Sequence, residues 1–91
     1  MKGPYGHLWL PGGFLLQWGQ ANYLGSDGAN GTVITFPIAF PTACMRIVGS
    51  DVGNGANSFG FSAFSPSQFR AWGKNGNTYV NTGTQYMALG Y

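Results

Sequence analysis

Charge is what this chain has least of. Lys, Arg, Asp and Glu make up 7% of its 91 residues, against roughly a quarter in an ordinary soluble domain. Such a shortage accompanies either disorder or a surface withdrawn from water. Disorder is excluded by 44% apolar and 16% aromatic residues, a content that drives collapse. A small soluble monomer carries far more charge. The composition therefore predicts a homo-oligomer whose copies cover one another.

The other shortages exclude chemistry. Asp27 and Asp51 are the only carboxylates, and both lie in turn-like contexts where Asp bonds nearby backbone. Hydrolysis of a glycosidic bond needs two opposed carboxylates, so a depolymerase is disfavoured and no enzyme is expected. The single histidine, His7, has no partners at metal-ligand spacing and no nucleophile and acid arranged around it. No cofactor or metal is expected. Gly53-Asn54-Gly55-Ala56-Asn57 has no following Lys-Ser/Thr and no helix, so it is not a phosphate loop. The lone Cys44 has no intramolecular disulfide partner and is expected to be a small buried apolar residue. Lys2, Arg46, Arg70 and Lys74 are scattered rather than striped, which argues against nucleic acid as a partner. No apolar run approaches the ~20 residues of a membrane helix, and no apolar core follows Met1-Lys2 as a secretory signal requires.

What is present is β-forming sequence punctuated by glycine and proline. Gly31–Gly49 contains two β-rich runs, Thr32–Phe36 and Ala43–Val48, joined by a corner with Pro37 and Pro41. Proline has no N–H for a ladder, so both runs stop there. Ile38 and Phe40 between them are expected to pack under the end of a sheet. Further strands are predicted at Phe14–Trp18, Phe59–Ser65, Gln68–Trp72 and Gln85–Tyr91, with a weak run at Thr78–Val80. Turn signals occupy residues 21–30, 50–58 and 73–77. No segment keeps a 3.6-residue period, so an all-β antiparallel sandwich is expected. Residues 1–12 are taken as an extended lead-in and 13–91 as the sandwich.

Alternating strand directions sort the connections. If Phe14 starts at one end, the three glycine- and amide-rich loops all fall at the other, and the proline corners stay at the first. A domain held at one end and presenting loops at the other fits this asymmetry. Sugars offer C–H faces for aromatic rings and hydroxyls for amides. The candidate binding residues are therefore Trp72, Lys74, Asn75, Asn77, Tyr79, Asn54, Asn57 and Tyr23. The competing role for the rings is packing, and for the amides turn geometry. Arg70 and Lys74 suit acidic sugars or phosphates, or are solvated surface charges.

Three stretches then carry a resemblance. They are Leu10-Pro11-Gly12-Gly13-Phe14-Leu15-Leu16-Gln17-Trp18-Gly19, Thr32-Val33-Ile34-Thr35-Phe36-Pro37-Ile38-Ala39-Phe40-Pro41 and the closing Tyr86-Met87-Ala88-Leu89-Gly90-Tyr91. In that order and spacing they resemble the C-terminal, gp53-like domain of phage and prophage tail fibres. The resemblance implies a homotrimeric β-sandwich at the distal end of the fibre in the virion. It also implies binding of a bacteriophage to host surface polysaccharide, either lipopolysaccharide or capsule. The alternative is a trimerising cap of the fibre without a receptor site. The matching positions are scaffold, and no receptor contact is transferred.

Overall fold

Every second side chain from Leu15 to Tyr23 is buried, and so is every second one from Thr82 to Gly90. That period of two is the signature of strands with one face in a core. The structure, a computed structural model, describes residues 5–51, 53 and 56–91. These form β1 (Gly6–Leu10), β2 (Phe14–Tyr23), β3 (Thr32–Thr35), β4 (Cys44–Asp51), β5 (Ser58–Ala63), β6 (Gln68–Asn75), β7 (Thr78–Tyr79) and β8 (Thr82–Gly90). A short 3-10 segment, Gly25–Asn30, lies between β2 and β3.

Two antiparallel sheets face each other. The first has strand order β1-β2-β8-β4 and the second β3-β6-β5. β7 pairs with the end of β6 at Lys74 and Asn75. Lys74 also pairs with Ser58 of β5, so β7 must lie on the β3 side of β6. The expected all-β sandwich is the observed fold.

The core lies between the sheets and is mostly aromatic. Phe36, Phe69 and Tyr86 stack around one another, with ring centroids 4.8 Å apart for Phe36–Phe69 and 5.0 Å for Phe69–Tyr86. Phe40 closes the group 5.0 Å from Phe36. Phe40 is buried and Ile38 packs against the core, as the proline corner predicts. Gln17 is fully buried, and its amide clasps that corner. Its Nε2 donates to the Ile38 carbonyl at 2.7 Å, and its Oε1 accepts from the Ile38 N–H at 3.1 Å. The corner is tied to the β5–β6 turn as well, because Phe36 N–H donates to Ser67 O and Phe40 N–H to Pro66 O.

Two glycines are dictated by close approach. A Cβ on Gly19 would sit 2.8 Å from the Tyr86 hydroxyl, and one on Gly90 would strike the Ala43 carbonyl and the Phe40 ring. Gln17, Gly19, the proline corner and Gly90 are thus parts of one joint. Motifs that lie far apart along the chain meet in space.

Several boundaries differ from expectation. Within the extended lead-in, Gly6–Leu10 is a strand paired with β2, from Gly6 opposite Trp18 to Leu10 opposite Phe14. Its extended, non-helical sequence finds a partner in the otherwise open edge of β2, and Gly12 and Gly13 at φ +87° and +83° make the turn. β2 runs on to Tyr23 because β8 pairs with it throughout, down to Thr82. β4 and β6 likewise extend to Asp51 and Asn75. The weak run Thr78–Val80 holds a two-residue strand, after which the chain crosses to the first sheet and β8 begins early, at Thr82. Cys44 is half-buried rather than buried, and burial pushes its thiol pKa up.

The end-to-end asymmetry holds. Residues 24–31 and the β6–β7 turn lie at one end with Asp51 of β4 and Ser58 of β5, whereas the Pro37–Thr42 corner and the Pro66 turn lie at the other.

Candidate functional site

Strand parity builds the site. In β6, Phe69, Ala71 and Gly73 point into the core and are buried. Arg70, Trp72 and Lys74 therefore share the outer face of the second sheet, and each is half-buried. Opposite them on β5 stand Ser62, Gly60 and Ser58. These residues are too small to cover the row.

Trp72 lies flat because glycine allows it. A Cβ on Gly31 would come within 2.8 Å of the indole, and Gly31 is buried at φ +79°, ψ 164°. That conformation is nearly confined to glycine. The indole Nε1 donates to Ala29 O at 2.9 Å, so the ring is held at its edge and floored beneath. Arg70 Nη1 donates to Asn30 O at 3.0 Å, and its guanidinium sits 5.1 Å above the Phe64 ring. Lys74 Nζ sits 4.6 Å from the Tyr79 ring centroid. Each cation is thus placed by an aromatic ring. Among the described residues no carboxylate lies within ion-pair distance of Arg70 or Lys74.

The expected site residues divide. Trp72, Lys74 and Tyr79 come together on this face. Asn75 and Asn77 are exposed at the β6–β7 turn beside it. Asn57 is a staple: its Nδ2 donates to Thr82 Oγ1 and its N–H to the Asp51 carboxylate. Tyr23 is a correction. It is fully buried, its hydroxyl donates to Gly28 O, and burial raises its phenol pKa. Its odd position in β2 turns it inward, so it offers no surface to a ligand. Asn54 lies outside the described residues. Phe64 and Gly31 are not among the expected site residues, and Arg70 is expected only as a cation suited to acidic sugars or phosphates, or as a solvated charge. The spacing of 70, 72 and 74 on one strand is the signal that finds Arg70.

A second outward surface has the opposite character. Trp18 of β2, Met87 of β8 and Val48 of β4 align across the first sheet, and Leu8, Leu16 and Leu89 form the next row with Arg46. Val48 is 61% exposed, Leu8 53% and Met87 47%, a concentration of apolar side chains that a lone soluble domain avoids. A shallow depression of about 460 Å³ opens between Trp18, Val48, Ser50, Gln85 and Met87.

The two aspartates are engaged in structure. Asp27 accepts from Thr32 Oγ1 at 2.6 Å, and Asp51 accepts from the N–H groups of Gly53 and Asn57. Both act on turns, the role that their contexts suggest. The described residues contain no group of three or more His, Cys, Asp or Glu able to hold a metal ion.

The model of the family described as tail fiber protein gp53-like, C-terminal, matches residues 9–91. Among solved structures, the chain is similar to an N-truncated R2-type pyocin tail fiber, with a TM-score of 0.76 and 23% identity over 98% of this chain and 35% of that one. It is similar to a C-terminal piece of the P. aeruginosa R2 pyocin fiber, with a TM-score of 0.65 and 24% identity over 86% of this chain and 21% of that one. An N-truncated R1-type pyocin tail fiber matches at a TM-score of 0.51 and 29% identity, over 86% of this chain and 71% of that one. The chain thus spans 35% and 21% of the two R2 fibre chains, with which it shares a fold. No curated protein matches it.

Proposed function

The chain belongs to the family of gp53-like tail fibre C-terminal domains, and from that footing we propose that it forms a homotrimer at the distal end of a fibre and binds a host surface polysaccharide, lipopolysaccharide or capsule, for virion attachment. The contrast between its two outward faces carries this reading. One is apolar with Arg46 as its charged residue, and the other is an aromatic row with two cations.

The apolar face suits self-association. Four strands at ~4.8 Å spacing and up to ten residues at ~3.4 Å rise give a sheet face of roughly 600 Å² before side-chain relief is added. It is apolar toward the proline end and carries Gln20, Asn22, Gln85 and Ser50 toward the other. Stable interfaces bury about 800 Å² per partner, so this face is of the right order. Burying it returns about 25 cal/mol for each Å² of apolar surface. Copies joined through the first sheet turn their second sheets outward, so three binding rows face the host and avidity multiplies a weak single contact. The domain acts by binding rather than by catalysis, since both carboxylates are committed to turns. The apolar face taken alone also supports a second reading, a trimerising cap without a receptor site.

Light scattering on a sizing column and adhesion to whole bacteria test both readings. The expected mass is that of three chains, falling to one in Val48→Asp. Adhesion lost in Trp72→Ala with an intact trimer supports the receptor role. A trimer that binds no envelope glycan supports the cap. A monomer refutes the assembly, and release of reducing sugar ends refutes the non-catalytic role.

A further inference from the structure

The outer row of β6 is specific about charge. We propose that Arg70, Trp72 and Lys74 select an anionic polysaccharide, with one sugar ring on the Trp72 indole and acidic groups on flanking sugars held by Arg70 and Lys74. This rests on the glycan-binding reading and names the class of glycan.

The indole is preorganised for stacking. Its N–H is committed to Ala29 O and its floor is Gly31, so the ring offers a π face and no donor. A ring already fixed loses little entropy on binding. Recognition of the central sugar is then by its apolar face. Polar discrimination must come from the neighbours.

Those neighbours are both cations. Alternate residues on a strand lie about 6.7 Å apart, which places the Arg70 and Lys74 backbones about 13 Å apart on either side of the ring. That separation matches a short run of linked sugars. Arg70 spends Nη1 on Asn30 O, leaving most of its five donors. The Lys74 ammonium rests on Tyr79 and makes no hydrogen bond among the described residues. Both carboxylates of the chain are elsewhere: Asp27 in the 3-10 segment bonds Thr32, and Asp51 closes its own turn. A neutral glycan laid here would strip water from two cations and return only hydroxyl acceptors, with no opposite charge. An anionic one supplies charge-assisted hydrogen bonds.

Carboxylates of acidic sugars and phosphates on neutral sugars share this chemistry. Two cations flanking one indole do not make the long basic track that a nucleic acid strand requires.

Binding of the full chain is measured with oligogalacturonate, phosphomannan, dextran and oligothymidine as probes. At about 20 mM NaCl the anionic glycans are expected to bind about tenfold more tightly than dextran, an advantage that shrinks at about 300 mM as screening tightens. The first two probes distinguish carboxylate from phosphate. Arg70→Gln with Lys74→Gln should bring the anionic glycans down to the dextran level, with the melting temperature confirming the fold. Equal binding of dextran and both anionic glycans overturns the proposal. So does a preference that survives the double substitution, or oligothymidine bound as tightly as the glycans. If the double variant still adheres to bacteria while Trp72→Ala does not, charge selection fails and the glycan-binding reading stands.

Discussion

Replacing Gln17 probes the joint on which the fold turns. Its buried amide gives both of its hydrogen bonds to the backbone of Ile38, so the side chain acts as a piece of strand. In Gln17→Leu the size is kept and the amide is lost, leaving the Ile38 N–H and C=O without partners. Each abandoned buried group costs about 1–3 kcal/mol. The Ile38 end is only part-buried, which favours the lower figure, and the added apolar burial of leucine returns some of it. The net loss is expected at about 1–2 kcal/mol, or a fall in melting temperature of about 4–16 °C for a chain of this size. Gln17→Glu sharpens the test. A glutamic acid can still donate one bond and accept the other, but a glutamate faces the Ile38 carbonyl with a second oxygen. Burial raises the pKa of that carboxyl in the folded state, so its contribution is present below the unfolded value of about 4.3 and is lost as pH rises through the folded one. Thermal unfolding at matched protein concentration, run at acidic and neutral pH, measures both variants. A Gln17→Leu protein within about 0.5 kcal/mol of the parent, the range of an inert surface change, refutes the role. A Gln17→Glu protein with the parent's pH dependence refutes the bonding argument.

Other perturbations follow from the same geometry. Gly31→Ala forces a side chain into a conformation nearly restricted to glycine, at about 1–3 kcal/mol, and pushes the Trp72 ring off its floor. A shift in tryptophan fluorescence together with weakened glycan binding is the expected pair of readouts, and unchanged emission contradicts it. Phe40→Ala opens a cavity beneath the proline corner and should cost about 3–5 kcal/mol, measured by urea unfolding. Tyr86 is pushed up to about 12, first by burial and then by Tyr5. Its neutral form is favoured by folding, so its contribution is intact below pH ~10 and is lost as pH rises through about 12. Alkaline unfolding should show this slope and Tyr86→Phe should flatten it; equal slopes would count against the assignment.

The outer face of β6 is partly legible in the sequence. Trp72 and Lys74 were found from their residue types beside a turn, and period-two spacing places Arg70 with them. Tyr23 falls in a loop if its strand ends at Trp18, as the Gly19 break suggests. A strand that runs on to residue 23 puts odd positions inward, and only pairing with β8 sets that length. Phe64 and Gly31 carry no local signal, because their roles lie across strand gaps. Asn57 looked like a loop amide, yet Thr82, which is distant in sequence, holds its side chain.

The backbone chemistry of this chain, taken alone, dictates strands, breaks and their alternation. β-branched and aromatic runs favour pleated structure, proline ends ladders, and Asp-Gly and Asn-Gly pairs turn the chain. These are short-range constraints, and they were enough for an antiparallel sandwich with a proline end and an amide end. Pairing is long-range. Tertiary structure alone closed β1 onto β2, placed β8 between β2 and β4, and brought Gln17 to Ile38 and Gly90 to Phe40. It also separated an apolar outer face from a cationic aromatic one, since which side of a strand meets solvent depends on the sheet that covers the other.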